Sequence, residues 1–268
     1  MSVTIINGGT QGLGEATARE LARRRATGLV LAGRSAERGA ALAAELSADG
    51  TPTIFLESEM EDIDAPERIV TACDERFGVV HGVVNVAAMT DRSTVWDATP
   101  EHWDRMMAIN VRAPFFVLQR AAELMRRERV RGSVVNIGSV CAHGGPTRLL
   151  AYSVSKGALA VMTKSAAFSL MRYGIRVNQI NPGWMDTESE DLVQRRWHDA
   201  TDGWLERAEA TQPFGRLIKP PELARVIAFY LSDDESGMMT GNVVDYDQTV
   251  DGAGFAPVPS PEETPAWP

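Results

Sequence analysis

A tyrosine and a lysine stand four residues apart in Tyr152-Ser-Val-Ser-Lys156. On a helix that spacing places a phenol and an ammonium on one face, a turn apart. A cation beside a phenol favours phenolate and draws its pKa down from about 10, toward the range in which it exchanges protons with a carbonyl oxygen. Four tyrosines and three lysines (156, 164 and 219) among 268 residues give about 0.04 such pairs by chance, so coincidence is a poor account of the motif. In a chain with 24 arginines, a compact ammonium at 156 reads as a point charge that a planar guanidinium cannot replace. Ser139, thirteen positions before Tyr152, follows Val134-Val-Asn-Ile-Gly. A hydroxyl at the carboxyl end of a parallel strand opens into the ligand crevice and can donate to a substrate oxygen, or it can simply cap its own turn. Asn110, in Met106-Met-Ala-Ile-Asn, falls inside a long helical stretch, as a member of the site or as a locally bonded polar residue.

A second group lies near the start, in Gly8-Gly9-Thr10-Gln11-Gly12-Leu13-Gly14. Glycines after a strand and before a helix permit a tight turn, let backbone approach a pyrophosphate, and aim the helix N-terminus at the anion. The carboxylate that reads a ribose 2′-OH is expected at the end of the second strand, where this chain has Gly33-Arg34-Ser35. With no carboxylate to repel it and a guanidinium to grip it, a 2′-phosphate is favoured, so NADP(H) is preferred and NAD(H) stays possible. Ser35 is equally suited to N-cap the next helix.

The elements that must hold these groups are short β-branched runs alternating with Ala/Leu/Arg-rich segments of helical period, the pattern of repeated βα units. Strands are predicted at Val3 to Asn7, Leu29 to Gly33, Thr53 to Glu57, Gly82 to Ala87, Ser133 to Gly138, Arg176 to Ile180 and Asn242 to Tyr246. Helices are predicted at Leu13 to Arg25, Ala36 to Ala48, Pro66 to Phe77, Pro100 to Arg127, Ala151 to Arg172 and Pro221 to Leu231. The fold class is α/β: one Rossmann-like, doubly wound domain over about residues 1–255, with a seven-stranded parallel sheet covered by helices on both faces. The stretch from Trp184 to Phe214 is too long for an ordinary connection and reads as a substrate lid. Residues 256–268 hold five prolines and read as a tail.

Composition narrows the partners. A net charge of −9 argues against nucleic acid or an anionic membrane and leaves a small molecule. Cys73 and Cys141 form no metal or disulfide pattern, so no metal is expected. No signal peptide is visible, and Phe77 to Thr90, the longest uncharged apolar-looking stretch, falls short of the roughly 20 residues a bilayer needs. A cytoplasmic protein is expected.

The glycine turn, Asn85-Val-Ala-Ala, Asn110, Ser139, Tyr152, Lys156 and Asn181-Pro182-Gly183 stand in an order and spacing that resembles the short-chain dehydrogenase/reductase family from about Val3 to Asp247. The resemblance implies an Asn-Ser-Tyr-Lys tetrad: Tyr152 as acid/base, Ser139 on the substrate oxygen, Lys156 on the nicotinamide ribose while lowering the tyrosine pKa, and Asn110 placing a relay water. It implies a cofactor held by Gly8, Thr10, Gln11, Gly12, Leu13, Gly14, Arg34, Ser35, Asn85, Ala87, Pro182, Gly183, Met185 and Thr187, with adenine near Glu59 and Met60. It also implies a homo-oligomer, a tetramer or a dimer, built on the helices near 100–127 and 151–172. The chain departs from the family at Asn7, at Ala87-Ala88 in place of Ala-Gly, and at Asp245-Tyr246-Asp247 in place of Asp-Gly-Gly. Divergent enoyl reductases set the lysine six residues after the tyrosine, where this chain has Ala158.

Substrate groups are expected from Ser139, Cys141, His143, Leu149, Tyr152, Trp184, Met185, Trp197, His198 and Trp204, each of which also has an ordinary packing role. The acidic run Asp186, Glu188, Glu190 and Asp191 reads as a solvated helix start, and Arg126, Arg127, Arg129 and Arg131 as a solvated helix end or a dock for an acidic carrier protein. The expected reaction is hydride transfer between nicotinamide and a small ketone or secondary alcohol, with a lean to a sugar or polyol. The alternatives are reduction of a 3-oxoacyl thioester and a non-catalytic NADP sensor.

Overall fold

The computed structural model describes residues 2–249; the proline-rich tail at 256–268 lies outside them. Seven parallel strands form one sheet in the order β3-β2-β1-β4-β5-β6-β7. They are β1 (Val3–Asn7), β2 (Gly28–Gly33), β3 (Thr53–Glu57), β4 (Gly82–Asn85), β5 (Ser133–Ile137), β6 (Arg176–Pro182) and β7 (Val243–Tyr246). The central strands β1, β4 and β5 are buried at every position, as expected of Val/Ile-rich runs covered on both faces. Strand order reverses between β1 and β4, and a crevice opens there at the carboxyl ends.

Helices α1 (Gly12–Arg23), α2 (Ala36–Ala48) and α9 (Pro220–Leu231) cover one face, around Leu21, Leu31, Val84, Leu223 and Ile227. Helices α3 (Ala65–Phe77), α5 (Ala113–Arg127) and α6 (Leu150–Leu170) cover the other, around Ile5, Ile69, Val83, Val117, Val134 and Ala167. Among the described residues no helix is long and apolar enough to cross a membrane.

The structure corrects several boundaries. Strand β4 stops at Asn85, because Val86 and Ala87 both turn their N–H groups onto Asn7 O at 2.8 Å and end the ladder. The helix expected at Pro100 to Arg127 is three pieces: α4 (Pro100–Met107), a π turn (Ala108–Arg112) and α5. Such a turn inserts an extra residue into a helix, often at a functional position, and this one carries Asn110. Pro220, rather than Pro221, opens α9. The stretch from Trp184 to Phe214 carries two helices, α7 (Glu188–Trp197) and α8 (Trp204–Ala210), and the short α10 (Asp233–Ser236) follows α9.

Candidate active site

A cavity of about 1040 Å³ runs along the carboxyl ends of the strands, from the glycine turn to the lid. Gly8, Thr10, Gln11, Gly12, Leu13, Arg34, Ser35, Glu59 and Met60 line one end. Ala87, Pro182, Gly183, Met185 and Thr187 line its middle, and Ser139, Cys141, Leu149, Tyr152, Lys156, Trp184, Trp197 and His198 the other end. Gly8 (φ +93°) and Gly12 (φ +54°) adopt left-handed backbone, and a Cβ on Gly8 would press on the Ala87 backbone. Ser35 accepts from Arg38 N at 3.4 Å, so it caps α2 and borders the cavity at once. Arg34 is exposed and makes no hydrogen bond or ion pair among the described residues.

Five of the expected site residues do not line the cavity. Gly14 packs beneath the turn, where a Cβ would collide with the Gly8 carbonyl. Asn85 is buried in the sheet, donating to Asn136 Oδ1 at 2.9 Å. His143 lies outside, with Nε2 2.9 and 3.0 Å from the two Asp245 carboxylate oxygens. Asn110 accepts from Met89 N at 2.8 Å and donates to Met89 O at 2.9 Å and Ser155 Oγ at 3.0 Å. It ties the loop after β4 to the turn of α6 between Tyr152 and Lys156. Trp204, also expected near the substrate, instead stacks on Trp184 at 6.2 Å in the lid's own core.

Ser139 N donates to Asn181 Oδ1 at 3.2 Å, and Ser139 Oγ accepts from Cys141 N at 3.1 Å, capping a 3₁₀ turn over Val140–His143. Lys156 is 2% exposed and donates to Ile137 O at 2.7 Å, its Nζ 5.6 Å from the Tyr152 ring centroid. The expected drop in the tyrosine pKa is corrected here. The Tyr152 phenol is half-buried at the cavity wall, and desolvation pushes it up to about 12, eased by a hydrogen bond with Ser139. Burial lowers Lys156 to about 8. Turned onto a carbonyl and itself desolvated, the ammonium does not offset the burial of the phenol.

The acidic run is engaged rather than merely solvated. Asp186 accepts from Lys219 at 2.9 Å, Glu188 takes both Arg38 amines at 2.7 Å, and Asp191 accepts from Trp204 Nε1 at 2.5 Å. Glu190 Oε1 accepts from Trp184 Nε1 at 2.8 Å and Gln194 Nε2 at 2.7 Å. Arg127 pairs with Asp74 and Glu128, so that basic end is held against α3. Residues the sequence reading missed also line the cavity: Ser58 at the β3 end, and Arg92, Arg148, Glu190 and Gln194 around the Tyr152 end. Only their neighbourhood to recognised motifs could have signalled them.

A family model described as Enoyl-(Acyl carrier protein) reductase matches residues 8–250. Short-chain dehydrogenase/reductase FrzI of Cladobotryum sp is 33% identical over 90% of this chain and 92% of that protein. The chain belongs to the short-chain dehydrogenase/reductase family. It is an oxidoreductase of a family whose members use NAD(P)(H). L-rhamnose 1-dehydrogenase (NAD(P)(+)) of Azotobacter vinelandii is 32% identical to this chain, over 85% of it and 89% of that protein. An actinorhodin polyketide ketoreductase solved with NADPH superposes with a TM-score of 0.85 at 25% identity, covering 92% of this chain and 96% of that chain.

Proposed function

We propose that this reductase transfers hydride between NADP(H) and a small polyhydroxylated ketone or secondary alcohol, a sugar or polyol. The observation that carries the reading is the placing of Ser139, Tyr152 and Lys156 at one end of a single cavity whose other end is the glycine turn with Arg34. The residues fit a dinucleotide. The α1 N-terminus and its glycines offer backbone N–H groups to a pyrophosphate, and Ser58, buried at the adenine end, has a hydroxyl with no partner among the described residues. The unpaired Arg34 guanidinium suits a 2′-phosphate.

Bound there, the nicotinamide supplies the hydride. In reduction Ser139 Oγ donates to the carbonyl oxygen and Tyr152 gives its proton as that oxygen becomes an alkoxide. A phenol near 12 is protonated at neutral pH and is a ready donor to a far more basic alkoxide. Lys156, lowered by burial to about 8, holds or releases a proton beside the Tyr152 ring and would face the ribose of a bound cofactor. Asn110 acts through Met89 and Ser155, holding the loop and helix together.

The polyol preference rests on polar groups that share the substrate end with Trp184 and Trp197: Arg92, Glu190, Gln194 and His198. Donors and acceptors together, three of them along α7 and its C-terminal end and Arg92 on the loop after β4, suit a row of hydroxyls, and the rhamnose dehydrogenase relative supports the same class. A 3-oxoacyl thioester is the second reading, favoured by the polyketide ketoreductase likeness. The Tyr152-x-x-x-Lys156 spacing argues for carbonyl rather than enoyl reduction. A pure sensor has no use for this group of side chains.

The test is a spectrophotometric panel of ketones, sugars, polyols and 3-oxoacyl thioesters with NADPH, NADH and their oxidised forms. Turnover is expected with polyols and NADP(H), and Tyr152→Phe is expected to lower it by about 10³-fold while leaving NADPH binding in place. Retained activity in that variant removes Tyr152 from its role. Tight NADPH binding without turnover on any substrate favours the sensor.

We also propose a homo-oligomer. Val154, Val161, Phe168 and Met171 expose a stripe along α6 and its end, beside Phe115 on α5, the kind of apolar face a second copy covers. Light scattering should return a multiple of 29.2 kDa, and Phe168→Glu should shift it toward one copy.

A further inference from the structure

Beneath the cavity a line of side-chain hydrogen bonds crosses the sheet. Asn7 donates to Asn85 (3.4 Å), Asn85 to Asn136 (2.9 Å), Asn136 to Thr163 of α6 (2.9 Å) and Thr163 to Gln179 (3.2 Å). Gln179 Nε2 then donates to Asn181 Oδ1 (2.7 Å), and Asn181 Nδ2 to Asp245 Oδ1 (3.0 Å). Every donor points the same way, and the line ends on an anion.

That end decides the orientation of Asn181. A side-chain amide can present oxygen or NH₂ to either side, and its neighbours select between them. Both Asp245 carboxylate oxygens are accepting positions, facing Asn181 Nδ2 and His143 Nε2, so Asn181 meets Asp245 with NH₂ and turns Oδ1 back toward Gln179 Nε2 and the Ser139 N–H, 3.2 Å away. Gly138 makes room for this, since a Cβ there would run into Asn181 Oδ1 and Gln179 Nε2. At the far end of the same 3₁₀ turn, His143 Nε2 meets both Asp245 oxygens. One carboxylate therefore anchors both ends of the Ser139–His143 segment, directly at His143 and through Asn181 at Ser139.

We propose that Asp245, together with His143, is a positioning residue for this reductase: by fixing the Asn181 amide it sets the backbone of Ser139 and hence where the Ser139 hydroxyl meets the substrate oxygen. The proposal rests on the reading of Ser139 given above. With Asp245 and His143 side chains 33% and 39% exposed, their ion pair by itself contributes little stability. Its consequence is orientation. Without the carboxylate, Asn181 either keeps a buried NH₂ unsatisfied or flips and sets NH₂ against two donors, and either outcome displaces Ser139.

The test combines kinetics, NADPH binding by fluorescence titration, and amide hydrogen exchange in Asp245→Ala, His143→Leu and His143→Gln. Asp245→Ala is expected to lower kcat by about 10- to 100-fold, the scale for misplacing a reacting group by up to 1 Å, with substrate KM and NADPH Kd within about twofold. Exchange should accelerate at Ser139 to His143 and not in the distant strands β2 and β3. His143→Leu, nearer the surface, is expected to show the same pattern more weakly. His143→Gln, whose amide N–H can still donate to Asp245, is expected to recover most of the loss. Unchanged kcat in Asp245→Ala, or acceleration spread over the whole sheet, overturns the proposal. If the wild type turns over no carbonyl compound, the functional reading has failed, and exchange alone decides the tether: acceleration confined to Ser139–His143 supports it, and none overturns it.

Discussion

Lys156→Met should make the protein more stable while abolishing its activity. The ammonium is 2% exposed, meets one backbone carbonyl and has no carboxylate partner among the described residues. Burial lowers its pKa from 10.5 to about 8. At ~1.4 kcal/mol for each pKa unit, keeping the charge at neutral pH costs the native state about 3 kcal/mol. Methionine fills similar space without charge but leaves the Ile137 carbonyl without its donor, a loss of about 1 kcal/mol. The net gain is about 2 kcal/mol, or about 4 °C in Tm for a domain of this size. The gain must depend on pH. Below pH 8 both native and unfolded chains hold the proton and the penalty is present in full. Between pH 8 and 10.5 the native state has released it while the unfolded chain retains it, so wild-type stability rises relative to the variant. Thermal unfolding of both proteins at pH 7 and pH 10 should show the Tm difference of about 4 °C shrinking toward zero or reversing. A variant less stable than wild type at pH 7, or a difference that ignores pH, would refute the reasoning that this ammonium is held at the fold's expense.

Arg34→Glu places a carboxylate where the 2′-phosphate is expected and removes a charge-assisted hydrogen bond of about 2 kcal/mol; the NADP/NAD ratio of kcat/KM should fall by at least about 30-fold, and an unchanged ratio would remove Arg34 from cofactor choice. Gly138→Ala drives a methyl into the Asn181 and Gln179 amides, so denaturant midpoints should report a loss of about 3 kcal/mol, on the scale of core overpacking; a neutral result would show that the amide pair can move. Asn110→Leu removes the hydrogen bonds that join Met89 to Ser155 and should lower kcat while speeding amide exchange at Met89, whereas unaltered exchange there would contradict its tie to the loop.

The Tyr152–Lys156 face, the glycine turn and the strands were legible in the sequence because each is local. A helix brings residues four apart together whatever surrounds it. A glycine turn carries its conformational requirement in its own residues, and a strand covered on both faces must be apolar along its length. The same locality marks where that reading stops. Asn85 is expected to hold the cofactor from its place after β4, while the structure shows its side chain entering the sheet and meeting Asn136, 51 residues on. Nothing in Pro100 to Arg127 alone marks the π turn, whose Asn110 is held by Met89 and Ser155 from outside the helix. The acidic run was read as solvated because its partners, Arg38, Trp204 and Lys219, lie elsewhere in the chain.

What the sequence by itself determined is therefore the side chains of the candidate site and the βα order that carries them to the carboxyl ends of the strands. The tertiary structure alone decided how those groups behave. The protonation of Tyr152 and Lys156 follows from desolvation, a property of everything packed around them. The aim of Ser139 follows from a carboxylate on β7 and a histidine 102 residues before it, a pairing that only the side-by-side arrangement of β5, β6 and β7 creates. Hydrogen-bond direction and electric field depend on distance in space, and that distance is set by the assembled sheet rather than by position along the chain.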